Sequence, residues 1–369
     1  MIPIYTPFKC LYTRAHKAIE SGWISSQGSY IKEAEETIQT YFNYSNFILL
    51  NNGTTATHCL FLALRKFHPE VTTIYVPNNV YVAVWNCVLM EYPKSAIRVL
   101  PICEDLCIPT DEPSLKALEP NSAIVIVHNV GNIIDVAAIK RARPDIILVE
   151  DMCEGLFGRY NNGIYVGASP DVLCSSISFF ANKNVTCGEG GGVATEYTEV
   201  ADYIRRVINQ GNTTVRYIHD IHAYNYRPTN IQAALLLDQF EHADEICRRK
   251  SAIFNRYADN LADCPQIHLP RSTRSPSANW MFLIRLADST GFDIIAEYCK
   301  EKGVDIRPFF HPLNAHTHLA DINYSADNLS LQLSKECFIL PSYPDLTLEQ
   351  VDYISLVIKQ FVKERLCIN

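Results

Sequence analysis

The chain has 369 residues, of which 48% are hydrophobic and 20% are charged, and its formal net charge at pH 7 is −8. A chain of this length usually divides into two lobes, and this composition is that of a folded protein rather than a disordered one. The acidic balance argues against nucleic acid as a partner, because no basic face would offset the phosphate charge.

The sequence shows no signal peptide and no uninterrupted apolar run of membrane-spanning length. Its thirteen cysteines are scattered without a Cys-x-x-Cys pair, and two pairs of closely spaced histidines lack a carboxylate or cysteine that would complete a metal site. We therefore expect a cytoplasmic protein with free thiols, with no membrane partner and with no metal.

From about residue 45 to residue 245, short β-rich runs alternate with helical patterns. The predicted strands are Phe47–Leu50, Thr73–Pro77, Ile97–Pro101, Ala123–His128, Ile146–Asp151, Cys174–Phe179 and Gly191–Thr195. Several are continuous apolar runs, which is typical of strands buried on both faces. The order predicts an α/β fold with a mostly parallel, doubly wound, seven-stranded sheet.

The remainder of the chain has a different pattern. Residues 229–262 predict one long helix or two, and a connection rich in proline and serine follows. The elements expected after it are a strand at Met281–Leu286, a helix near Phe292–Lys302 and a final helix from Thr347, capped by Thr347 and Gln350, to about Arg365. We predict a large domain over residues 1–245, with an N-terminal arm, and a smaller α+β domain over residues 246–369.

Lys183 is the first candidate for chemistry. It follows an apolar strand and precedes the glycine-rich turn Gly188–Gly192. A lysine just beyond a strand end can point into a cleft, where the loss of water favours the free amine that attacks carbonyl carbons. A solvated surface lysine is the commoner case.

Asp151 and Tyr81 also follow predicted strands. A carboxylate at the carboxyl end of a strand faces the crevice where α/β sheets bind ligands, and it could keep a pyridine nitrogen protonated. The alternative for Asp151 is a helix N-cap. An aromatic ring at Tyr81 could stack on a planar cofactor, although a core tyrosine is more usual.

The segment Asn52-Gly53-Thr54-Thr55 opens a helix directly after the first strand. Free backbone N–H groups, two hydroxyls and the helix dipole together suit a phosphate group. A capped helix start without a ligand is the alternative. The segment is neither a P-loop nor a dinucleotide-binding fingerprint.

The order of these segments along the chain resembles the DegT/DnrJ/EryC1/StrS family of sugar aminotransferases, which are fold-type I pyridoxal-phosphate enzymes. Other stretches that carry the resemblance are Gly22–Gly28, Glu150–Glu154, Ser178–Lys183, Gly188–Gly191, Tyr224–Arg227, Thr229–Ala234 and Arg307–Leu313. The resemblance covers nearly the whole chain.

The resemblance implies individual roles. Lys183 would be the catalytic residue, forming the Schiff base with pyridoxal 5′-phosphate and shuttling protons, with pyridoxamine 5′-phosphate as the intermediate form. The cofactor contacts that it implies are Gly53, Thr54, Thr55, Tyr81, Asp151, Glu154, Ser178, Lys183 and Asn225. Asn225 would reach the cofactor of the neighbouring subunit, which implies a homodimer with shared active sites. The expected substrate contacts are Trp23, Ser25, Tyr81, Glu154, Lys183, His219, Arg227, Arg307, Phe309 and His311.

The resemblance also implies that L-glutamate donates an amino group to a nucleotide-linked keto sugar, in polysaccharide or glycan biosynthesis. Trp23–Gln27, Tyr217–Asp220 and Asn279–Met281 are similar to the perosamine-synthase-like branch, which implies amination at C4 of a 4-keto-6-deoxy sugar and a perosamine- or viosamine-type product. Related dehydratases carry histidine in place of Lys183. The alternatives are C3 amination of a 3-keto sugar, a cofactor-binding regulator without turnover, and a sugar-nucleotide-binding module without a cofactor.

Overall fold

The computed structural model describes residues 1–271, 275–286, 291–322, 324 and 328–365. The helices are α1 (Thr13–Ser21), α2 (Ser29–Phe42), α3 (Gly53–Phe67), α4 (Ala83–Glu91), α5 (Glu112–Lys116), α6 (Val136–Ala142), α7 (Thr198–Ile208), α8 (Asn230–Phe240), α9 (Ala243–Leu261), α10 (Phe292–Glu301), α11 (Asn328–Glu336) and α12 (Leu348–Arg365). The strands are β1 (Asn46–Leu50), β2 (Thr73–Pro77), β3 (Ile97–Leu100), β4 (Ser122–Val127), β5 (Ile147–Asp151), β6 (Ser175–Ser178), β7 (Gly191–Thr195), β8 (Ile267–His268), β9 (Phe282–Leu286), β10 (Arg307–Pro308) and β11 (Cys337–Leu340).

The first seven strands form one sheet in the order β1-β7-β6-β5-β4-β2-β3. Strand β7 is antiparallel to both of its neighbours, and the other pairings are parallel. The predicted seven-stranded, mostly parallel sheet is therefore confirmed. The strands β2, β4 and β7 are buried along their whole length, as the continuous apolar runs indicate.

The sheet topology determines where side chains converge. Strand β1 and the parallel strands β2, β4, β5 and β6 all point the same way, so their carboxyl ends lie along one edge. In open α/β sheets, this edge is where ligands bind. The segments that leave this edge include the four that the sequence singles out, at Gly53, Tyr81, Asp151 and Ser178.

A second, antiparallel sheet follows in the order β10-β11-β9-β8. The long helices α9 and α12 contact each other, and their buried residues join those of this sheet in one hydrophobic cluster. The cap of α12 is confirmed, because Thr347 N–H donates to Gln350 Oε1 at 3.0 Å and Gln350 N–H donates to Thr347 Oγ1 at 3.2 Å. The helical pattern over residues 229–262 divides into the two helices α8 and α9.

The division into two domains stays a prediction. The boundary between residues 245 and 246 falls in the first turn of α9, which begins at Ala243. Residues 2–5 run beside the second sheet, with Ile2 N–H donating to Gly303 O at 2.7 Å and Asp305 N–H donating to Ile2 O at 3.0 Å. Part of the predicted connection, residues 272–274, lies outside the described residues. Across the described ranges, no helix is both long and apolar enough to cross a membrane.

Candidate active site

A cavity of about 390 Å³ opens at the carboxyl edge of the large sheet. Arg307, Pro308 and Ile339 of the second sheet and Phe310 next to it also line the cavity, so the cavity lies between the two sheets. The predicted site residues that line it are Gly53, Thr54, Tyr81, Asp151, Glu154, Ser178, Lys183 and Arg307. Side chains from five separate segments of the chain therefore face one space.

One end of the cavity is the first turn of α3. The first N–H groups of a helix have no partner within the helix, so those of Gly53 and Thr54 are available to a ligand. A Cβ added to Gly53 would lie 2.7 Å from the Cβ of Ser178, so only glycine allows β6 to approach this closely. The Thr55 hydroxyl points elsewhere, donating to Asn51 Oδ1 at 2.7 Å, and Thr55 does not line the cavity.

Asp151 lies at the floor of the cavity at the end of β5. Its Oδ1 accepts the N–H of Cys153 at 2.9 Å, and its Oδ2 lies 3.4 Å from the hydroxyl of Thr57. The carboxylate is buried, and its two local donors fix its orientation. This is the geometry of a carboxylate that can accept a further hydrogen bond from a cationic nitrogen.

Glu154 forms a second acidic wall. Its Oε2 accepts the N–H of Val130 at 2.8 Å. Val130 has φ +51°, a left-handed conformation that is costly for a β-branched residue and is a form of strain that clusters at functional sites. Burial raises the pKa of Glu154 to about 7, against the opposing effects of the Lys183 ammonium and the Val130 N–H. Near neutral pH this carboxyl can therefore hold or release a proton.

Lys183 extends into the cavity from the turn after β6. Across the described ranges, its Nζ has no hydrogen-bond acceptor and no ion pair, and its neighbour is the ring of Trp280, whose centroid lies 4.2 Å away. Cys153 also lines the cavity, but burial and the nearby Asp151 carboxylate raise the pKa of its thiol well above its usual value. A protonated thiol is a poor nucleophile, so the lysine amine is the better candidate for a nucleophile in this cavity.

Six other predicted residues lie away from this cavity: Trp23, Ser25, His219, Asn225 and His311, which are exposed, and Arg227, which is half-buried. Asn225 Oδ1 accepts the guanidinium of Arg227 at 3.0 Å, and His219 Nδ1 lies 2.8 Å from the carbonyl of Gln210. Their role in a site stays a prediction.

The turn that contains Trp23 and Ser25 is organised by Asn230, the first residue of α8. Asn230 Nδ2 donates to Trp23 O at 2.6 Å, and Asn230 N–H donates to Ser25 O at 2.8 Å. A Cβ at Gly28 would lie 1.8 Å from Asn230 Cγ, so glycine is required there. The turn is thus rigid although its side chains are exposed.

Phe309 is fully buried and packs with Val130 and Trp280, while its neighbour Phe310 lines the cavity. Sequence reasoning also missed the lining residues Thr57, Cys153, Asn182, Trp280 and Met281. Phe309 and Phe310 follow the two-residue strand β10, which is too short for an alternation that would distinguish the buried ring from the lining one.

The comparison with protein families agrees with the site. The sequence profile described as the DegT/DnrJ/EryC1/StrS aminotransferase family matches residues 10–359. The chain belongs to this family, and its fold is that of an aminotransferase. The chain is 32% identical over 379 residues to the GDP-perosamine synthase of Vibrio cholerae, covering 98% of this chain and 99% of that protein.

Solved structures support the fold. Helicobacter pylori PseC, an aminotransferase involved in the biosynthesis of pseudoaminic acid, has a TM-score of 0.90 at 21% identity, covering 98% of this chain and 99% of that one. The putative sugar aminotransferase Spr1654 from Streptococcus pneumoniae, in its PMP form, has a TM-score of 0.88 at 21% identity, covering 99% of this chain and 100% of that one.

The donor set of the cavity suits a flat aromatic ring that carries a phosphate. The first turn of α3 supplies free N–H groups for the phosphate, and Tyr81 supplies an exposed ring beside the cavity. The Oδ1 atom of Asn182, a lining residue, is buried without a hydrogen-bond partner in the described ranges. A buried acceptor without a partner is expected where a ligand supplies the missing donor.

Proposed function

We propose that this chain is a pyridoxal-phosphate aminotransferase that moves an amino group from L-glutamate to C4 of a nucleotide-linked 4-keto-6-deoxy sugar. The observation that carries the proposal is the convergence of the Lys183 amine, the Asp151 carboxylate and the first turn of α3 on one cavity. The likeness to a GDP-perosamine synthase over nearly the full chain supports C4 and a nucleotide-linked sugar.

Each part of the cavity would hold one part of the cofactor. The N–H groups of Gly53 and Thr54 and the hydroxyls of Thr54 and Ser178 would bind its phosphate. Asp151 would hold its ring nitrogen, and Tyr81 would stack on its face. When bound, pyridoxal phosphate supplies an electron sink that stabilises negative charge at the carbon that bears the amine.

Lys183 would perform the proton transfers. Its Nζ can take a proton from the α-carbon of the amino donor, and in the second half of the reaction it can return a proton to C4 of the sugar. Histidine at this position, as in the related dehydratases, could not form the covalent bond to the cofactor. Lysine therefore supports amination over dehydration.

Arg307 is the cation available to the substrate. Its guanidinium is exposed at the cavity, and none of the described residues pairs with it. Arginine binds carboxylates and phosphates with two parallel hydrogen bonds, so it would bind either the donor carboxylate or the diphosphate of the sugar nucleotide.

We also propose a homodimer in which each subunit completes the other's site. Trp23, with 61% of its surface exposed, and Tyr217, with 76% exposed, lie in two exposed apolar segments that a partner would cover. The same two segments and residues 225–227 carry predicted residues that do not reach the cavity of their own chain: Ser25, His219, Asn225 and Arg227.

Complementation between variants tests the shared site. Lys183→Ala and Asn225→Ala should each be nearly inactive alone. If the site is shared, subunit exchange between them should restore about a quarter of the wild-type activity, because half of the dimers then contain one intact site of two. A fully active Asn225→Ala monomer would refute the shared site.

Product analysis tests the reaction. The purified protein is incubated with L-glutamate and a panel of dTDP-, UDP- and GDP-linked 4-keto and 3-keto sugars, and products are identified by mass spectrometry and NMR. We expect a 4-amino sugar, together with a visible absorption band that Lys183→Ala abolishes. An amine at C3 would place the chain with the 3-aminotransferases instead. Bound cofactor without any product would favour a regulatory protein without turnover. The cytoplasmic location stays a prediction.

A further inference from the structure

The turn that carries Lys183 is held in place by hydrogen bonds from outside the large sheet. The Tyr5 hydroxyl donates to Lys183 O at 2.6 Å, and Trp280 Nε1 donates to Asn182 O at 2.9 Å. Asn184 Nδ2 donates to Ala278 O at 3.1 Å. Three consecutive residues are thus tied to residues 2–5 or to the segment that leads into β9.

Trp280 also contacts the reactive end of the lysine. The Lys183 Nζ lies 4.2 Å from the centroid of its ring, and the Trp280 side chain is 4% exposed. An ammonium over the face of a buried tryptophan is attracted by the ring quadrupole. The Glu154 carboxyl also interacts electrostatically with this amine, but within the described residues no hydrogen bond or ion pair competes with the ring face for it.

Trp280 is in turn held by a buried lysine of α9. The Nζ of Lys250 donates to Trp280 O and to Ser342 O, both at 2.5 Å, and Lys250 is 1% exposed. Burial lowers the pKa of this amine to about 7. The segment that carries Trp280 is also tied to the loop at Gly131, because Ala278 N–H donates to Gly131 O at 2.9 Å. The backbone that carries the Trp280 ring is therefore held by hydrogen bonds at two points.

We propose that Trp280 is a positioning residue that holds the Lys183 amine on its ring face whenever the amine is free, and that Lys250 fixes Trp280 in place. This inference rests on the proposed function, in which Lys183 alternates between a bonded and a free state. A defined resting position would keep the amine close to the carbon whose proton it transfers. Holding a catalytic group in place in this way raises the reaction rate, because less orientational entropy is lost in the transition state.

The first experiment uses the cofactor-free protein and measures acetylation of Lys183 by mass spectrometry, normalised to the exposed Lys32. Trp280→Leu should label roughly three- to tenfold faster than wild type, because the ring face no longer holds the ammonium. Trp280→Phe retains a ring and should stay within about twofold of wild type. Trp85→Phe is the matched control, since it too loses a buried Nε1 hydrogen bond, to Pro77 O.

The second experiment uses the loaded enzyme. Trp280→Leu should lower kcat by about tenfold while the KM values for both substrates stay within about twofold, and Trp280→Phe should recover most of kcat. Loss of packing alone would not be rescued by the smaller ring. Equal defects in Trp280→Phe and Trp280→Leu would overturn the role of the ring face.

Lys250→Met provides a second route if Trp280→Leu does not fold. It should raise Lys183 labelling by at least about twofold, because Trp280 O loses its anchor. Wild-type labelling in the folded variants would overturn the proposal. If wild type labels as expected but performs no transamination, the proposed function fails and the contact between Trp280 and Lys183 stands.

Discussion

Two glutamates four positions apart, Glu150 in β5 and Glu154 just after it, are both buried but have opposite surroundings. Glu150 accepts hydrogen bonds from three side chains: His128 Nε2 at 2.8 Å, the Tyr160 hydroxyl at 2.5 Å and the Ser175 hydroxyl at 2.7 Å. Glu154 accepts one, from the backbone of Val130.

The two environments move the carboxyl pKa values in opposite directions. Burial alone would raise the pKa of Glu150, but the His128, Tyr160 and Ser175 donors bring it below its usual value. Burial raises the pKa of Glu154 to about 7 because too few donors compensate. Ile134 N–H donates to His128 Nδ1 at 3.2 Å, which assigns the proton of His128 to Nε2, facing Glu150.

The two carboxylates differ in how many of their hydrogen-bond positions the protein itself fills. A buried acceptor with every position satisfied stabilises one conformation, whereas one with open positions is held ready for a ligand or a proton. Asp151 belongs with Glu154, since adjacent residues of a strand face opposite sides of the sheet and Asp151 faces the cavity. The following substitutions test this distinction.

The largest effect is expected for Asp151→Asn. Asparagine retains an oxygen for the Cys153 N–H but loses the negative charge, so turnover should fall by roughly 10²- to 10³-fold while the cofactor stays bound. Steady-state kinetics and the visible absorption of the bound cofactor measure both quantities. A rate close to that of wild type would remove Asp151 from the proposed role.

Glu150→Gln should act on stability and not on chemistry. The amide presents a donor to neighbours that are themselves donors, which should cost about 3 kcal/mol at pH 7. Because the folded-state pKa of Glu150 is lowered, its stabilising contribution is present above the unfolded pKa and is lost as pH falls through the folded pKa. Urea unfolding at pH 7 and pH 4 measures this, and a defect that is equal at both pH values would contradict it.

Glu154→Gln should increase the free energy of unfolding of the cofactor-free protein, in contrast to Glu150→Gln. The folded-state pKa of about 7 lies above the unfolded value of 4.5, so ionisation of Glu154 costs stability as pH rises between these values. Glutamine removes that cost, and the variant should be about 2–3 kcal/mol more stable than wild type at pH 8, with the gain shrinking towards pH 5. A variant less stable than wild type at pH 8 would refute this account.

The smallest effects are expected from two matched glycines. A Cβ at Gly53 would meet Ser178 at 2.7 Å, and one at Gly155 would meet His128 Cδ2 at 2.8 Å. Gly53→Ala should cost about 1–2 kcal/mol of stability, because β6 must move away, and should also weaken cofactor binding by roughly tenfold, because Gly53 and Ser178 both line the cavity. Gly155→Ala should cost about 1–2 kcal/mol of stability and leave binding unchanged. Titration with cofactor measures binding, and urea unfolding measures stability. Equal cofactor affinities for the two variants would contradict the assignment of Gly53 to the cofactor site.

Much of this site follows from the sequence. Strand patterns placed β2 and β7 at their observed residues, and the carboxyl ends of the parallel strands then had to bring Gly53 and Asp151 to one edge. The two-residue strands β8 and β10 are too short to show a period, which is why the exposed side of Phe310 was not anticipated. The contacts of Trp280 with Lys183 and Lys250 join residues 97 and 30 positions apart, and no local pattern predicts them.

The hydrogen bonds of residues 2–5 have a consequence for variation. The first residues of a domain usually tolerate substitution because few contacts depend on them. Here Ile2 pairs with the backbone around Val304, and the Tyr5 hydroxyl donates to the carbonyl of Lys183. We therefore expect few substitutions to be tolerated in this segment, and a bulky group attached at Ile2 should displace the turn that carries Lys183.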